Sequence, residues 1–165
     1  MALESKVGTA NGVALHEGLP AVSNSTSPIL ASGSVHSAAA ARCTTILIAE
    51  DNAINQKVIE RMVQKLGYRV NLVTNGKEAI DALSRSSYGL IFMDCQMPEM
   101  DGFEACREIR KRGSGVRIPI VAITANAMKG DRERCLAAGM DDYVSKPFKQ
   151  EDLRIVIERW MPPPA

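Results

Sequence analysis

Long apolar runs, charge of one sign and paired cysteines are all missing from this 165-residue chain, and each absence removes a class of function. No stretch approaches the ~20 apolar residues that a bilayer-spanning helix needs. The opening residues, Met1 to Gly8, do not run from basic to apolar as a secretory signal does. Lys+Arg number 20 against 19 Asp+Glu, a formal charge of +1, so there is no electrostatic case for nucleic acid or an acidic membrane as partner. The four cysteines, Cys43, Cys95, Cys106 and Cys135, form no C-x-x-C pair. That argues against a zinc site or a disulfide scaffold and for reduced thiols in a cytosolic setting. There is no internal repeat, and no G-x-x-x-x-G-K-[ST] loop to cradle a nucleoside triphosphate.

What is present is a globular composition, 45% hydrophobic and 24% charged, with a sharp change near residue 43. Residues 1–42 are small and polar, without aromatics or a sustained period, and end in an alanine run. They cannot bury enough apolar surface to offset the entropy of ordering, which predicts a flexible linker. Residues 162–165 read as a disordered, proline-stopped tail.

Between them, short apolar runs alternate with helical periods. Ile46–Ala49, Arg69–Val73, Leu90–Met93, Ile118–Ile123 and the short Tyr143-Val144 read as strands. After the first strand, Ile54, Val58, Met62 and Leu66 form a stripe four residues apart, closed by Gly67. Asn75-Gly76 reads as a turn before a helix through Ala79, Ile80 and Leu83. Phe103, Cys106 and Ile109 mark another helix, residues 129–138 a further one, and Leu153, Val156, Ile157 and Trp160 a last helix with one buried face. Five β-α units in sequence, with runs apolar on both faces, predict a doubly wound α/β fold: a five-stranded parallel sheet covered by helices on both sides.

Ligands of such folds bind outside the carboxyl ends of the strands, so the residues that end each apolar run carry the information. These are Glu50 and Asp51, Asp94, Thr124 and Lys146, tens of residues apart yet brought together by the fold. Three crowded carboxylates repel one another, and a hard divalent cation such as Mg²⁺ relieves this while welcoming phosphate oxygens. An ammonium and a hydroxyl complete a cluster matched to a phosphoryl group. Asp94, after the most apolar run, is the best placed nucleophile for an aspartyl phosphate. Each residue alone has a plainer reading: Asp51 or Asn52 as a helix cap, Asp94 as a turn residue before Pro98, Thr124 as a cap, Lys146 as a solvated lysine before Pro147. Their joint placement favours the chemistry. Glu99, Asp101 and the pair Asp141-Asp142 read as loop and turn acids.

Four segments together resemble the receiver domain of two-component signalling. They are Ile48-Ala49-Glu50-Asp51-Asn52, the stretch from Met93-Asp94-Cys95-Gln96 to Asp101-Gly102, Ile123-Thr124-Ala125-Asn126, and Gly139 to Phe148 with Tyr143 and Lys146-Pro147. The wording is most similar to receivers of hybrid sensor histidine kinases, over residues 43–161. The resemblance implies the flavodoxin-like strand order 2-1-3-4-5 and Asp94 as phospho-acceptor. It implies a metal site for Mg²⁺ from Glu50 (through water), Asp51, Asp94 and the main-chain carbonyl of Gln96. It makes Lys146 the phosphate-binding lysine, Thr124 and Tyr143 the switch pair, and Gln96 and Asn126 tuners of hydrolysis. The Lys146–Pro147 bond is often cis in this family.

The implied partners are a histidine kinase core or a histidine phosphotransfer protein, with no nucleic acid and no membrane contact by this domain. The implied setting is cytoplasmic, free or tethered at the inner membrane through a full-length sensor kinase. The implied activity is phospho-acceptance, with at most slow self-phosphorylation and self-dephosphorylation. His16 and His36 lie in the linker and are read as incidental, and no output domain is expected after the last helix. Two rivals come from other classes. An aspartate-nucleophile phosphohydrolase would want an acid two residues past the nucleophile, where Gln96 stands. A pure interaction module would not need the complete set of pocket residues.

Overall fold

The computed structural model describes residues 43–113, 117–125 and 129–161. The linker, the tail, His16, His36 and Asn126 lie outside the described residues. Five strands, β1 (Thr45–Ala49), β2 (Arg69–Val73), β3 (Leu90–Asp94), β4 (Ile120–Thr124) and β5 (Asp142–Ser145), alternate with five helices. These are α1 (Ala53–Lys65), α2 (Gly76–Arg85), α3 (Gly102–Arg112), α4 (Lys129–Ala137) and α5 (Gln150–Trp160). The sheet is parallel throughout, in the order β2-β1-β3-β4-β5. The alternation therefore gave the right architecture.

The central strands β3 and β4 are buried at every position, while the edge strand β2 alternates. That contrast follows from having helices on both faces of the centre. On one face Ile46, Ile48, Phe92 and Ile123 pack with Ile59 and Val63 of α1 and Leu153 and Ile157 of α5. On the other, Leu47, Ile91 and Ala122 pack with Ala79, Ala105, Cys106 and Cys135 of α2, α3 and α4. Cys95 and Cys135 place their sulfurs 3.8 Å apart inside that second layer.

Three local expectations are corrected. The buried stripe of α1 runs through Ile59 and Val63; Ile54 (74% exposed) and Val58 (42%) face outward, and only Met62 and Leu66 of the expected stripe touch the core. The Asn75-Gly76 pair is not a free turn, because Asn75 Oδ1 accepts from the Glu78 N–H and caps α2. Trp160 is not fully buried: it remains 37% exposed, and its indole N–H donates to Asp142 at 3.1 Å. A smaller difference is that β4 starts at Ile120 rather than Ile118. Pro119 has no N–H for a ladder, though its carbonyl accepts from Ile91.

Asp141, read as a loop acid, is a half-buried tie point. It accepts from Arg110 Nη2 at 2.6 Å, from Arg117 Nη2 at 2.6 Å and from the Ile120 N–H at 2.8 Å. Arg110 also donates to the carbonyls of Gly139 and Ile118. One carboxylate thus fixes the end of α3 and the starts of β4 and β5 relative to each other. Asp141→Ala leaves the half-sheltered Arg110 charge without its counter-ion and is expected to cost about 3 kcal/mol. Urea unfolding of parent and variant measures this as a shift in midpoint at unchanged slope.

Candidate functional site

The carboxyl ends of β1, β3, β4 and β5 converge, and the side chains that leave them form one cluster. Glu50 follows β1 directly and is 1% exposed, its N–H donating to the Val73 carbonyl at 3.1 Å. Asp94, the last residue of β3, is also buried. Lys146 follows β5, and its Nζ donates to Asp94 Oδ2 at 2.5 Å and to Glu50 Oε2 at 2.8 Å. Its own backbone N–H donates to the Thr124 carbonyl at 2.8 Å, and the Lys146–Pro147 peptide is cis.

The helix cap after β1 is made by Asn52, whose Oδ1 accepts from the N–H groups of Ile54 and Asn55. Asp51 is therefore not spent on capping, and it stands exposed at the mouth. One oxygen each from Glu50, Asp51 and Asp94 lie within 4.8 Å of one another. An all-oxygen, multiply anionic donor set of this kind fits a hard divalent cation such as Mg²⁺ and offers nothing to a soft one.

The electrostatics follow from burial and from the shared ammonium. Burial pushes the Glu50 carboxyl up, but hydrogen bonds from Lys146 and Asn55 outweigh it and hold it below the usual carboxylate range. Burial raises Asp94, and its neighbour Glu50 adds to this against the opposing donors Gln96 N–H and Lys146. For Lys146 burial acts downward, yet the two carboxylates hold it above its ordinary value. The site is an ammonium shared by two buried acids, one ionised with ease and one with reluctance.

Thr124 ends β4 and is buried, and Asp51, Gln96, Ala125 and Thr124 line an open cavity of about 660 Å³. Gln96 touches the end of β3 directly, its N–H donating to Asp94 Oδ1 at 2.9 Å. Tyr143 is half-buried on β5, in register with Ala122, one pleat below the Thr124–Ser145 pair on the same face of the sheet. It lines a separate open groove with Leu136, Pro147 and Ile155. The structure thus gathers Glu50, Asp51, Asp94, Gln96, Thr124 and Lys146, and sets Tyr143 outside the cluster on the strand beside Thr124.

Three residues were not singled out from the sequence. Asn55 Nδ2 donates to Glu50 Oε1 at 2.9 Å, and Gln56 Nε2 donates to the Glu50 carbonyl at 2.6 Å. Their signal, two amides in the first turn of an amphipathic helix, is easily taken for ordinary solvent-facing polarity. Gly102 opens α3 against the backbone of Asp94: a Cβ there would stand 2.1 Å from the Asp94 carbonyl oxygen. Its cue was a glycine at a helix start already capped by Asp101.

Removing the ammonium tests this arrangement. In Lys146→Met both acids lose their counter-charge, so Glu50 rises above its unfolded value and Asp94, already raised, rises further. Stability then falls as pH rises through the raised values and recovers on acidification. The expected outcome, in chelator, is a melting temperature well below the parent near pH 7 and a gap that narrows toward about pH 5.

A model of the response regulator receiver domain matches residues 46–158. The chain is 48% identical over 120 residues to hybrid signal transduction histidine kinase G of Dictyostelium discoideum, covering 71% of this chain and 4% of that protein. It is 36% identical over 118 residues to the signal transduction histidine-protein kinase BarA of Escherichia coli, covering 72% and 13%. Among solved structures, the receiver domain of sensor histidine kinase PA1611 of Pseudomonas aeruginosa, with magnesium in its active-site cleft, is 52% identical. Its TM-score is 0.67, over 72% of this chain and 97% of that one. The Saccharomyces cerevisiae complex of the phosphotransfer protein Ypd1 with the Ssk1 receiver domain matches at 32% identity and TM-score 0.68, over 72% and 89%. The chain thus spans a small fraction of the curated kinases it resembles.

Proposed function

The chain belongs to the response regulator receiver domain family, and on that premise we propose that Asp94 takes a phosphoryl group from a phosphohistidine of a partner protein in a hybrid histidine kinase phosphorelay. The observation that supports this reading best is the cluster itself. Three carboxylate oxygens lie within 4.8 Å of one another, with an ammonium 2.5 Å from Asp94, at the carboxyl end of a doubly wound sheet. The PA1611 receiver carries magnesium in its cleft, and the donor set here suits the same ion.

In the transfer, an Asp94 carboxylate oxygen forms the new P–O bond as the P–N bond of the phosphohistidine breaks, and the imidazole leaves with its electron pair. Asp51, Asp94 and the Gln96 main-chain carbonyl would hold Mg²⁺, with Glu50 supporting the ion through water. Bound Mg²⁺ supplies positive charge against the phosphoryl oxygens. Lys146 exchanges Asp94 Oδ2 for a phosphoryl oxygen, and the Thr124 hydroxyl donates a second hydrogen bond. These contacts exist only in the phosphorylated state, so they favour it and bias the β4–β5 region in which Tyr143 sits. Gln96 and Asn126 tune how long the acyl phosphate survives.

Ile54 and Val58, exposed on α1 beside the acidic mouth, give a histidine-bearing partner an apolar foothold. That partner is a kinase core or a histidine phosphotransfer protein, as in the yeast complex. No described helix is long and apolar enough to cross a membrane. The setting we propose is cytoplasmic, free-standing or joined to a membrane-bound sensor kinase.

Intact-mass spectrometry after incubation with acetyl phosphate tests the acceptor. One added phosphoryl group that needs Mg²⁺, is lost in mild alkali and is absent from Asp94→Asn is the expected result. Rapid consumption of donor without accumulation would favour phosphohydrolase chemistry instead. In the same assay Lys146→Ala is expected to lose the modification and Tyr143→Ala to keep it. The reverse pattern would break the division between phosphate binding and switching.

A further inference from the structure

Glu50 is a buried glutamate whose two carboxylate oxygens are held from opposite sides. Lys146 Nζ donates to Oε2 at 2.8 Å. On the other side Asn55 Nδ2 donates to Oε1 at 2.9 Å, with the Asn52 N–H at 3.3 Å. Glutamate has one more rotatable bond than aspartate, so a single ionic contact leaves its carboxylate free to pivot. The Lys146 contact is also shared with Asp94, and an incoming phosphoryl group competes for it. The Asn55 amide is the side-chain contact on Glu50 that does not depend on what occupies the acceptor.

Resting on the reading of Glu50, Asp51 and Asp94 as the Mg²⁺ site, we propose that Asn55 is a positioning residue for metal binding. Its amide fixes the Glu50 carboxylate at the distance from Asp51 and Asp94 that the ion requires, without itself being a ligand. Gln56 reinforces this by holding the Glu50 carbonyl at 2.6 Å and reaching Val73 O at 3.4 Å, which ties the acid's backbone to the ends of β1 and β2. The first turn of α1 thus does more than cap itself: Asn52 caps its start, and Asn55 and Gln56 turn back onto the acid before it.

Asn55 is open to a clean test because its side chain makes no capping bond. The cap of α1 is the Asn52 side chain, and alanine is well tolerated in a helix. Calorimetric titration of Mg²⁺ into the full chain is expected to give about tenfold weaker binding for Asn55→Ala, the lower end of the loss typical when a ligand's supporting hydrogen bond is removed. The melting temperature in chelator checks that the variant folds. The decisive arm is a double-mutant cycle with Glu50→Asp, whose shorter carboxylate falls short of the amide. In that background Asn55→Ala is expected to change Mg²⁺ affinity less than about twofold. Equal affinity of parent and Asn55→Ala would overturn the proposal, as would an equal loss in both backgrounds, since either would detach Asn55 from Glu50. A parent protein that takes up no Mg²⁺ would overturn the metal-site reading as well, a result separable from the other two.

Discussion

The contact on which the site depends is the bifurcated grip of Lys146 on Glu50 and Asp94. Two carboxylates that are almost fully removed from solvent cannot sit at neighbouring strand ends without a counter-charge, because the cost of desolvating them adds to their repulsion. The ammonium arrives from the far side of the sheet, on the segment after β5, and its chain position is held by the N–H bond to Thr124. The ends of β1, β3, β4 and β5 are thereby linked through a few polar atoms. The apolar layers on either side supply most of the stability of the fold, but they do not decide where those four ends meet. That is settled by the strand order, by Asp141 clamping the start of β5, and by the charges themselves.

The same contact makes the site responsive. An ammonium shared between two acids is satisfied as long as nothing else competes for it. In the proposed transfer, a phosphoryl group on Asp94 brings more negative charge than the carboxylate it is attached to, and so competes with Glu50 and Asp94 for the Lys146 ammonium. Tyr143 lies outside that polar cluster, one pleat from Ser145 and in contact with the second core layer, beside an open groove. The Thr124 end of β4 and Tyr143 on β5 are thus separated by a single strand pairing.

Much of this could be read from the sequence, for a physical reason. In a doubly wound fold the residue that ends each apolar run must face the same rim, so Glu50, Asp94, Thr124 and Lys146 could be grouped without knowing any distance. What could not be read was the second layer of contacts. Asn55 and Gln56 look like solvent-facing amides until the helix is docked and its first turn bends back on Glu50. Asp141 looks like a turn acid until Arg110 and Arg117 arrive from elsewhere in the chain. Ile54 and Val58 obey the helical period yet point outward, because periodicity fixes which residues share a stripe but not which of two neighbouring stripes the sheet will cover. Asn75 likewise reads as half of a turn, since the same side chain that favours turns also caps helices.

The chain contains a single tryptophan, and its indole N–H is bound to Asp142, the residue next to Tyr143. Arg159 grips the same carboxylate at 2.6 Å. An indole half in water and half against a charged group emits light that depends on both surroundings. The protein therefore carries its own optical probe at the seam between β5 and α5, and rearrangement of that seam can be followed by ultraviolet fluorescence on the unlabelled chain.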